Sequence, residues 1–444
     1  MKYTIVTLGC KVNQFESGSL AQSLKENGWE YTPEDSHADA CIINTCTVTE
    51  KAAAQSRQAI RQAVRAHPRA CIIVTGCYAE TEAEAVRKIS GVHHVVGHSE
   101  KHAIPTLLAG FKKGLQLFSP DFIPASGSCE ESSWQPFPLP LGDRTRPFLK
   151  IQDGCNTFCT YCIVPHARGR SRSMPALQVL EGIRQYSRSG YKEVVLTGIH
   201  LGAWGLDLSP KTSLSVLLKE IEGLRLIQRL RLSSIEPGEL TKDIIRLISD
   251  SECICHHFHI PLQSGDDGIL KRMNRPYTTS LFRERIETVH ALLPGAAIGV
   301  DTLVGFPGET QKAFQNTYDL IQGLPVTYLH VFPFSPRQKT PACKFPDQVE
   351  PPVIQERCQQ MRQLGRTKKR DFYKKFLGKT LPVLVEGKRD KDTGFLKGTT
   401  HNYIPVIFEG KVDLENRIVN VRLEKLNRSD SVSGVTNATH CLRP

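Results

Sequence analysis

The 444-residue chain predicts an α/β protein built in three parts. These are an N-terminal parallel α/β domain over 1–117, a partial (β/α)6 barrel over 144–371, and a small all-β, OB-like domain over 372–435, with 118–143 as a linker. Three observations carry this reading. Short β-like runs alternate with helical stretches from the first residues onward, the pattern of βαβ units. The alternation fails once, in a proline-rich stretch. It then gives way near the C-terminus to β-like segments alone.

Taken in order, Tyr3–Leu8, Ala40–Ile43 and Ala70–Thr75 read as strands, with helical stretches such as Ser17–Asn27 and Glu50–Arg65 between them. From Phe118 to Arg146 periodicity is lost, and Pro120, Pro124, Pro136, Pro138 and Pro140 stand among Ser, Gly and acidic residues. Such a composition marks a linker. The second series has strand candidates Phe148–Gln152, Glu193–Thr197, Leu230–Ser233, Phe258–Pro261, Ile298–Val304 and Tyr328–Phe332, separated by helices such as Ala176–Ser189 and Thr279–Leu293. Six strand–helix units are fewer than a full eight-fold barrel holds. After a basic helical stretch, Pro352–Lys375, the segments Leu381–Glu386, Tyr403–Phe408 and Ile418–Leu423 are β-like with Gly and charge at the turns, a small barrel. Asn427–Pro444 is polar and reads as a frayed tail.

Hydrophobic residues at 40% and charged residues at 23% are globular values. No apolar run approaches the roughly 20 residues that cross a bilayer. The N-terminus reads as a strand rather than a secretory signal, so the expected compartment is the cytoplasm, with no membrane partner. Fourteen cysteines in a reducing compartment point to metal or catalytic use rather than disulfides. A formal charge of +12 suits a polyanionic partner, most simply a nucleic acid.

Two cysteine sets stand out. Cys155, Cys159 and Cys162 follow the first strand of the second series with Cys-x3-Cys-x2-Cys spacing. A short loop of this kind wraps an iron–sulfur cube and leaves one iron open for a substrate. The alternative, a zinc knuckle, needs a fourth ligand, and His166 is the nearest candidate. Cys10, Cys46 and Cys77 each end one of the three N-terminal strands. In a parallel sheet those ends share one edge, where ligand sites form; the alternative is that the three are buried structural thiols. Cys41 and Cys71, at strand starts, read as packing residues. Cys129, Cys253, Cys255, Cys343, Cys358 and Cys441 show no pattern.

The cysteine loop, with Tyr161 before its last cysteine, resembles the signature of the radical S-adenosylmethionine superfamily. Gly9-Cys10-Lys11-Val12-Asn13-Gln14, Asn44-Thr45-Cys46, Thr75-Gly76-Cys77, Ser233-Ser234-Ile235-Glu236-Pro237, His259-Ile260-Pro261-Leu262-Gln263-Ser264-Gly265 and Val304-Gly305-Phe306-Pro307-Gly308-Glu309-Thr310 are similar to the methylthiotransferases of that superfamily. The resemblance spans nearly the whole chain. It implies an N-terminal domain with an auxiliary cluster, a radical barrel and a terminal TRAM module that binds RNA. Residues 9–14 look most like the branch acting on threonylcarbamoyladenosine in tRNA. The other branches act on isopentenyladenosine in tRNA or on an aspartate of a ribosomal protein.

What the resemblance implies is specific. Cys155, Cys159 and Cys162 hold a [4Fe-4S] cluster whose open iron chelates S-adenosyl-L-methionine, and reduction there releases a deoxyadenosyl radical. Cys10, Cys46 and Cys77 hold a second [4Fe-4S] cluster that carries the sulfur. The radical takes hydrogen from C2 of the adenine, where the methylthio group attaches. Tyr161, Gly198, Glu236 and Gln263 are assigned to cofactor binding: the last three follow barrel strands at the edge where catalytic groups belong. Glu236 and Gln263 as helix caps or local pairs is the alternative. The partners implied are a tRNA anticodon stem-loop, a small redox protein as electron donor and a sulfur donor. The run Arg366-Thr367-Lys368-Lys369-Arg370 adds basic surface, or is only a solvated helix face.

Overall fold

Ile42 and Ile73 pack on one face of the first sheet, while Ile43 and Val74 pack on the other. Successive side chains of a strand point to opposite sides, so a strand apolar at every position needs cover on both faces. The computed structural model describes residues 1–112, 134, 138–142, 144–428 and 430–436. Most of the expected linker, including Pro120, Pro124 and Pro136, lies outside the described residues, as do Cys129 and Cys441. The chain packs as two units. Unit 1 comprises Met1–Gly142, Phe148–Pro175 and Ser335–Cys343; unit 2 comprises Asp143–Pro147, Ala176–Phe334 and Lys344–Pro444.

In unit 1, strands β1 (Lys2–Thr7), β2 (Glu30–Tyr31), β3 (Ala40–Thr45), β4 (Cys71–Gly76) and β5 (His94–Val96) form a parallel sheet in the order β2-β1-β3-β4-β5. Helices α1 (Lys11–Glu26), α2 (Glu50–Ala66), α3 (Cys77–Thr81), α4 (Ala83–Arg87) and α5 (Ile104–Lys112) cover it. Leu20 and Leu24 of α1 and Ile104 and Leu108 of α5 pack on the face of Ile42. Ala53, Ile60 and Ala63 of α2 pack on the face of Ile43. Helix α1 begins at Lys11, ahead of the Ser17 start read from the sequence, because the chain turns straight from the strand into it. The edge strands β2 and β5 were not expected; each is too short to show a period. Strands β6 (Phe148–Lys150) and β7 (Gln152–Asp153), helix α6 (Val164–Arg168) and strand β8 (Arg172–Ser173) complete the unit.

In sequence β6 begins the second strand–helix series, whose order is that of a partial (β/α)6 barrel, and the remaining elements of the series belong to unit 2. Its elements are α7 (Ala176–Arg188), β9 (Glu193–Thr197), α8 (Leu214–Leu224), β10 (Arg229–Leu232), α9 (Lys242–Asp250), β11 (His257–His259), α10 (Asp267–Arg272), α11 (Thr279–Leu292), β12 (Ala297–Val304), α12 (Gln311–Gly323) and β13 (Tyr328–Pro333). Strands β9 and β10 pair in parallel, as do β11, β12 and β13 in that order. Thr241, Thr278 and Thr310 cap α9, α11 and α12, each hydroxyl accepting a first-turn N–H, the usual way a helix start is satisfied.

The long helix α13 (Pro351–Lys374) leads to a closed barrel of β14 (Thr380–Val385), β15 (Leu396–Thr400), β16 (Pro405–Phe408), β17 (Ile418–Leu426) and β18 (Val432–Thr436). The expected frayed tail is corrected here. Val432–Thr436 is a strand that closes the barrel between β16 and β17, burying Val432 in its core. Closure removes two exposed strand edges, and that gain outweighs the polar composition. Residues 437–444 lie outside the described residues. Buried Arg229 and Arg231 of β10 donate to the barrel's main chain, Arg229 to Pro382 O (2.7 Å) and Arg231 to Thr400 O (3.2 Å), while Glu193 balances Arg231 at 2.7 Å.

His401, beside these arginines, accepts the His256 N–H on Nδ1 (3.2 Å) and is therefore held neutral. Burial, then His256, Arg229 and Arg231, push its pKa down from 6.5 to about 3. The unfolded chain takes up a proton at His401 below its ordinary pKa while the folded chain does not, so this site costs stability as pH falls from about 6.5 towards about 3. His401→Asn is expected to flatten that part of the melting temperature–pH curve relative to wild type. An unchanged acid slope in calorimetric scans counts against it.

Candidate functional site

Strands β1, β3 and β4 are neighbours and parallel, so the residues that follow them meet at one edge. Those residues are Cys10, Cys46 and Cys77, none in a disulfide. Two glycines allow the approach. Gly9 has φ +96°, and a Cβ there would sit 2.9 Å from Cys46 Sγ. Gly76 also has φ +96°, and a Cβ would meet Thr45 O at 2.4 Å. Only glycine adopts this backbone without strain, and only glycine leaves this room. Cys46 and Cys77 are buried, and Cys10 is exposed at the N-cap of α1. Burial pushes the Cys77 thiol up to about 11, with Cys10 and Cys46 adding to the rise and Arg168 and Lys101 opposing it. Burial likewise raises Cys46, and Cys10 adds to it.

The second cysteine set lies in the same unit. Strands β7 and β8 pair antiparallel and frame the loop that carries Cys155, Cys159 and Cys162. Gly154 turns it with φ +70°, where a Cβ would strike Arg170 O at 2.0 Å. The Gln152 amide donates to Asp153 O, Gly154 O and Ser171 Oγ, and the Cys155 N–H donates to Gly169 O (3.1 Å). The Thr157 N–H points at Cys155 Sγ (3.5 Å), and the Cys162 N–H donates to Cys159 O (2.9 Å).

A buried charge network joins the two loops' supports. Glu16 of α1 takes Lys101 Nζ at 2.5 Å, Lys150 Nζ at 3.0 Å and Arg168 Nη1 at 3.0 Å. Asp153 takes Lys150 at 3.1 Å and Arg168 at 2.9 Å. Arg168 also donates to Asn13 Oδ1 (2.5 Å), and Asn44 accepts from Lys101 (3.2 Å). Burial alone would raise the Glu16 carboxyl, but Arg168, Lys101 and Lys150 hold it well below the carboxylate range. Three buried cations thus face two carboxylates, a surplus of positive charge beside Cys10 and Cys77. Arg168 Nε is buried without a partner. The segment Ser335–Cys343 straps the same region: Arg337 reaches Thr47 Oγ1 (2.6 Å), Lys339 reaches Thr81 O (2.6 Å), and Ala342 N–H donates to Thr160 O (2.9 Å).

Tyr161 is half-buried in the cysteine loop, and His166 is exposed on α6. Gly198, Glu236 and Gln263 belong to unit 2. Gly198 directly follows β9, and Glu236 follows β10 with its carboxylate on Arg275. Gln263 has φ +66° and bridges to Thr302. A side chain held in left-handed backbone is a frequent mark of a functional site. Cys41, Cys71, Cys253, Cys255 and Cys358 are buried. Sequence reasoning missed Glu16, Lys101, Lys150 and Arg168 as site residues; the available signal was charge inside otherwise apolar strands and helices, as in Phe-Leu-Lys-Ile at 148–151. It also missed His259, Asp301 and His330 as a group, where Asp301 Oδ1 meets both rings at 2.9 and 3.1 Å.

Three family models match the chain: Uncharacterized protein family UPF0004 over residues 2–97, Radical SAM superfamily over 149–321 and TRAM domain over 374–433. The threonylcarbamoyladenosine tRNA methylthiotransferase MtaB of Bacillus subtilis is 38% identical, covering 94% of this chain and 93% of that protein. Its Aquifex aeolicus counterpart is 36% identical over 92% and 97%. A tRNA-2-methylthio-N(6)-dimethylallyladenosine synthase of Pelotomaculum thermopropionicum is 32% identical over 95% and 94%. Among solved structures, the radical S-adenosylmethionine methyltransferase TsrM of Kitasatospora setae matches in fold, with TM-score 0.57 and 15% identity over 77% and 75%.

Two outcomes follow from the geometry. Glu16→Gln leaves three buried cations against one carboxylate and is expected to cost about 3–5 kcal/mol in denaturant unfolding; a loss below about 1 kcal/mol would mean the network is not tight. Gly9→Ala forces Cys46 aside while keeping every cysteine. Its purified protein is expected to hold markedly less iron than wild type by elemental analysis.

Proposed function

Because the chain belongs to the radical S-adenosylmethionine methylthiotransferases, we propose that it methylthiolates C2 of N6-threonylcarbamoyladenosine beside the anticodon of tRNA, giving 2-methylthio-N6-threonylcarbamoyladenosine. The observation that carries this is the placement of two three-thiol sets in one unit, buttressed by one buried charge network. The greater identity to the threonylcarbamoyladenosine enzymes than to the dimethylallyladenosine synthase supports the substrate assigned.

The donor sets suit iron–sulfur clusters. Each offers three soft sulfurs, and a cube bound by three thiolates keeps one iron open. Cys155, Cys159 and Cys162 would hold one cluster, and Cys10, Cys46 and Cys77 the other. When bound, the two clusters and S-adenosylmethionine supply the one-electron cleavage, the sulfur and the methyl group. The chain's own work is to bind and to balance charge. Burial disfavours the Cys77 thiolate and metal ligation requires it, so cluster binding would release a proton there. Arg168 and Lys101 oppose the charge left behind. The Thr157 N–H supplies a hydrogen bond to one sulfur of the loop. Tyr161, Gly198, Glu236 and Gln263 are assigned to S-adenosylmethionine. A small redox protein would deliver the electron and a separate sulfur donor would replenish the auxiliary site, both in the cytoplasm.

The test is mass spectrometry of tRNA nucleosides from cells lacking this gene, complemented with wild type or with Cys10→Ala. Wild type is expected to restore the 2-methylthio-threonylcarbamoyl nucleoside, and Cys10→Ala is not, although the purified variant still cleaves S-adenosylmethionine. Restoration of 2-methylthio-isopentenyladenosine instead would move the substrate to the other tRNA branch. Unchanged tRNA would turn the search to a ribosomal protein.

A further inference from the structure

Beyond the cysteine site, unit 2 contains a cleft of about 600 Å³ lined by α13, β13 and the C-terminal barrel. We propose that this cleft binds a single-stranded stretch of the RNA substrate, with Arg362, Arg366 and Lys369 on its phosphates and exposed aromatic rings of β13 against its bases. This rests on the reading of the substrate as RNA and adds where the strand lies.

The charge pattern argues first. Arg362, Gly365, Arg366, Lys369 and Tyr373 share the face of α13 that lines the cleft. On a helix, like charges four residues apart repel. Across the cleft, Arg146 is engaged by Glu386 (2.9 Å), and Lys369 is engaged by Asp430 (3.6 Å). Arg362 and Arg366 have no carboxylate partner among the described residues, and both are exposed. Arg366 turns its guanidinium to Gln363 Oε1 on the same helix (3.1 and 2.6 Å), so the charge of both arginines is left without a carboxylate, which suits an anion with a forked oxygen pair; phosphodiester offers one at each nucleotide. The basic run read from the sequence is divided by the helix. Arg366 and Lys369 line the cleft, whereas Lys368 caps α12 through Gln322 O (2.8 Å) and Leu324 O (2.7 Å), and Arg370 turns to Asn427 O (3.3 Å).

The other walls suit bases. Among the described residues β13 pairs only with β12, so its far edge is open. Along that edge strand Tyr328 and His330 line the cleft, and His330 is half exposed; Phe332, 42% exposed, lies past the lining with its ring 6.4 Å from that of His330. Gly365 brings the edge close to the helix: a Cβ there would stand 3.1 Å from Leu329. Tyr403, at the tip of the β15–β16 turn with φ +67°, forms part of the opposite wall. A basic track beside aromatic faces is the arrangement that holds unpaired nucleotides, and the volume suits a ligand of nucleotide size.

The test is fluorescence anisotropy of a labelled anticodon stem-loop carrying threonylcarbamoyladenosine, titrated with the full chain at several salt concentrations. Arg362→Glu/Arg366→Glu is expected to weaken binding at least tenfold near 0.1 M salt and to lower the slope of log affinity against log salt by about 1–2. Arg362→Gln/Arg366→Gln should act in the same direction without added repulsion, which guards against a folding defect in the first pair. Lys219→Glu, an equal charge change on α8 outside the cleft, is the control and should leave affinity unchanged. If wild type binds the stem-loop and both double variants bind it equally well, the cleft assignment is overturned while the RNA reading stands. If wild type binds no RNA, the substrate reading fails and the cleft goes with it.

Discussion

Glu16 is a carboxylate buried to 1% exposure, six residues past Cys10, and it is held by cations from three separate segments of chain. Lys150 and Arg168 flank the Cys155–Cys162 loop, and Lys101 follows the edge strand of the first sheet. An unpaired buried charge costs several kcal/mol, so none of these groups is tolerated without the others. The packing of residues 148–175 against the N-terminal sheet is therefore fixed by charge pairing as well as by apolar burial. Asp153 extends the same logic into the loop itself, since its carboxylate both accepts the Gly154 N–H (2.9 Å) and grips Arg168. The geometry of one cysteine set is thereby tied to a helix that starts at the other.

This network also explains why the surplus charge is positive. Three cations and two carboxylates would be a poor design for a site that stays neutral. Thiolates formed at Cys10 and Cys77, as the proposed cluster requires, would offset that excess. His98, half-buried beside the same groups and pushed well below its ordinary pKa by desolvation and by Lys101 and Arg168, adds no further charge. Buried polar networks are worth most when every member is satisfied. The unpartnered Arg168 Nε marks the place where this one is left open.

The strand–helix alternation and the cysteine positions were legible in the sequence because both are local. Period, spacing and strand-end position survive without knowledge of contacts. Glu193–Thr197 was read to the residue, since five buried apolar or paired positions stand between turn signals. The charge network was not legible, because Glu16 and Lys150 lie 134 residues apart and each looks ordinary in its own segment. Strand β18 was missed for a related reason. Its polar composition is compatible with a tail, and only closure against β16 and β17 makes it a strand. The glycines at 9 and 76 were visible as letters, but their role depends on neighbours that the fold brings from other strands.

Unit 2 shows a second use of buried arginine. Arg229 and Arg231 sit in a strand that reads Arg-Leu-Arg-Leu, an alternation that by itself suggests one wet face. Both are buried, and they spend their donors on carbonyls of the C-terminal barrel and on Glu193. The guanidinium suits this task because its planar fork satisfies several acceptors with one charge. The small barrel is thereby anchored to the strand–helix series by directional bonds, so its turn at Tyr403 keeps a defined place beside α13. A surface meant to hold a flexible strand gains from such rigidity, since ordering cost is then paid by the ligand alone. The arginines that anchor the barrel and those that line the cleft thus put one chemistry to two ends: charge and donors are spent on Glu193 and main-chain carbonyls in the first, and charge is left without a carboxylate in the second.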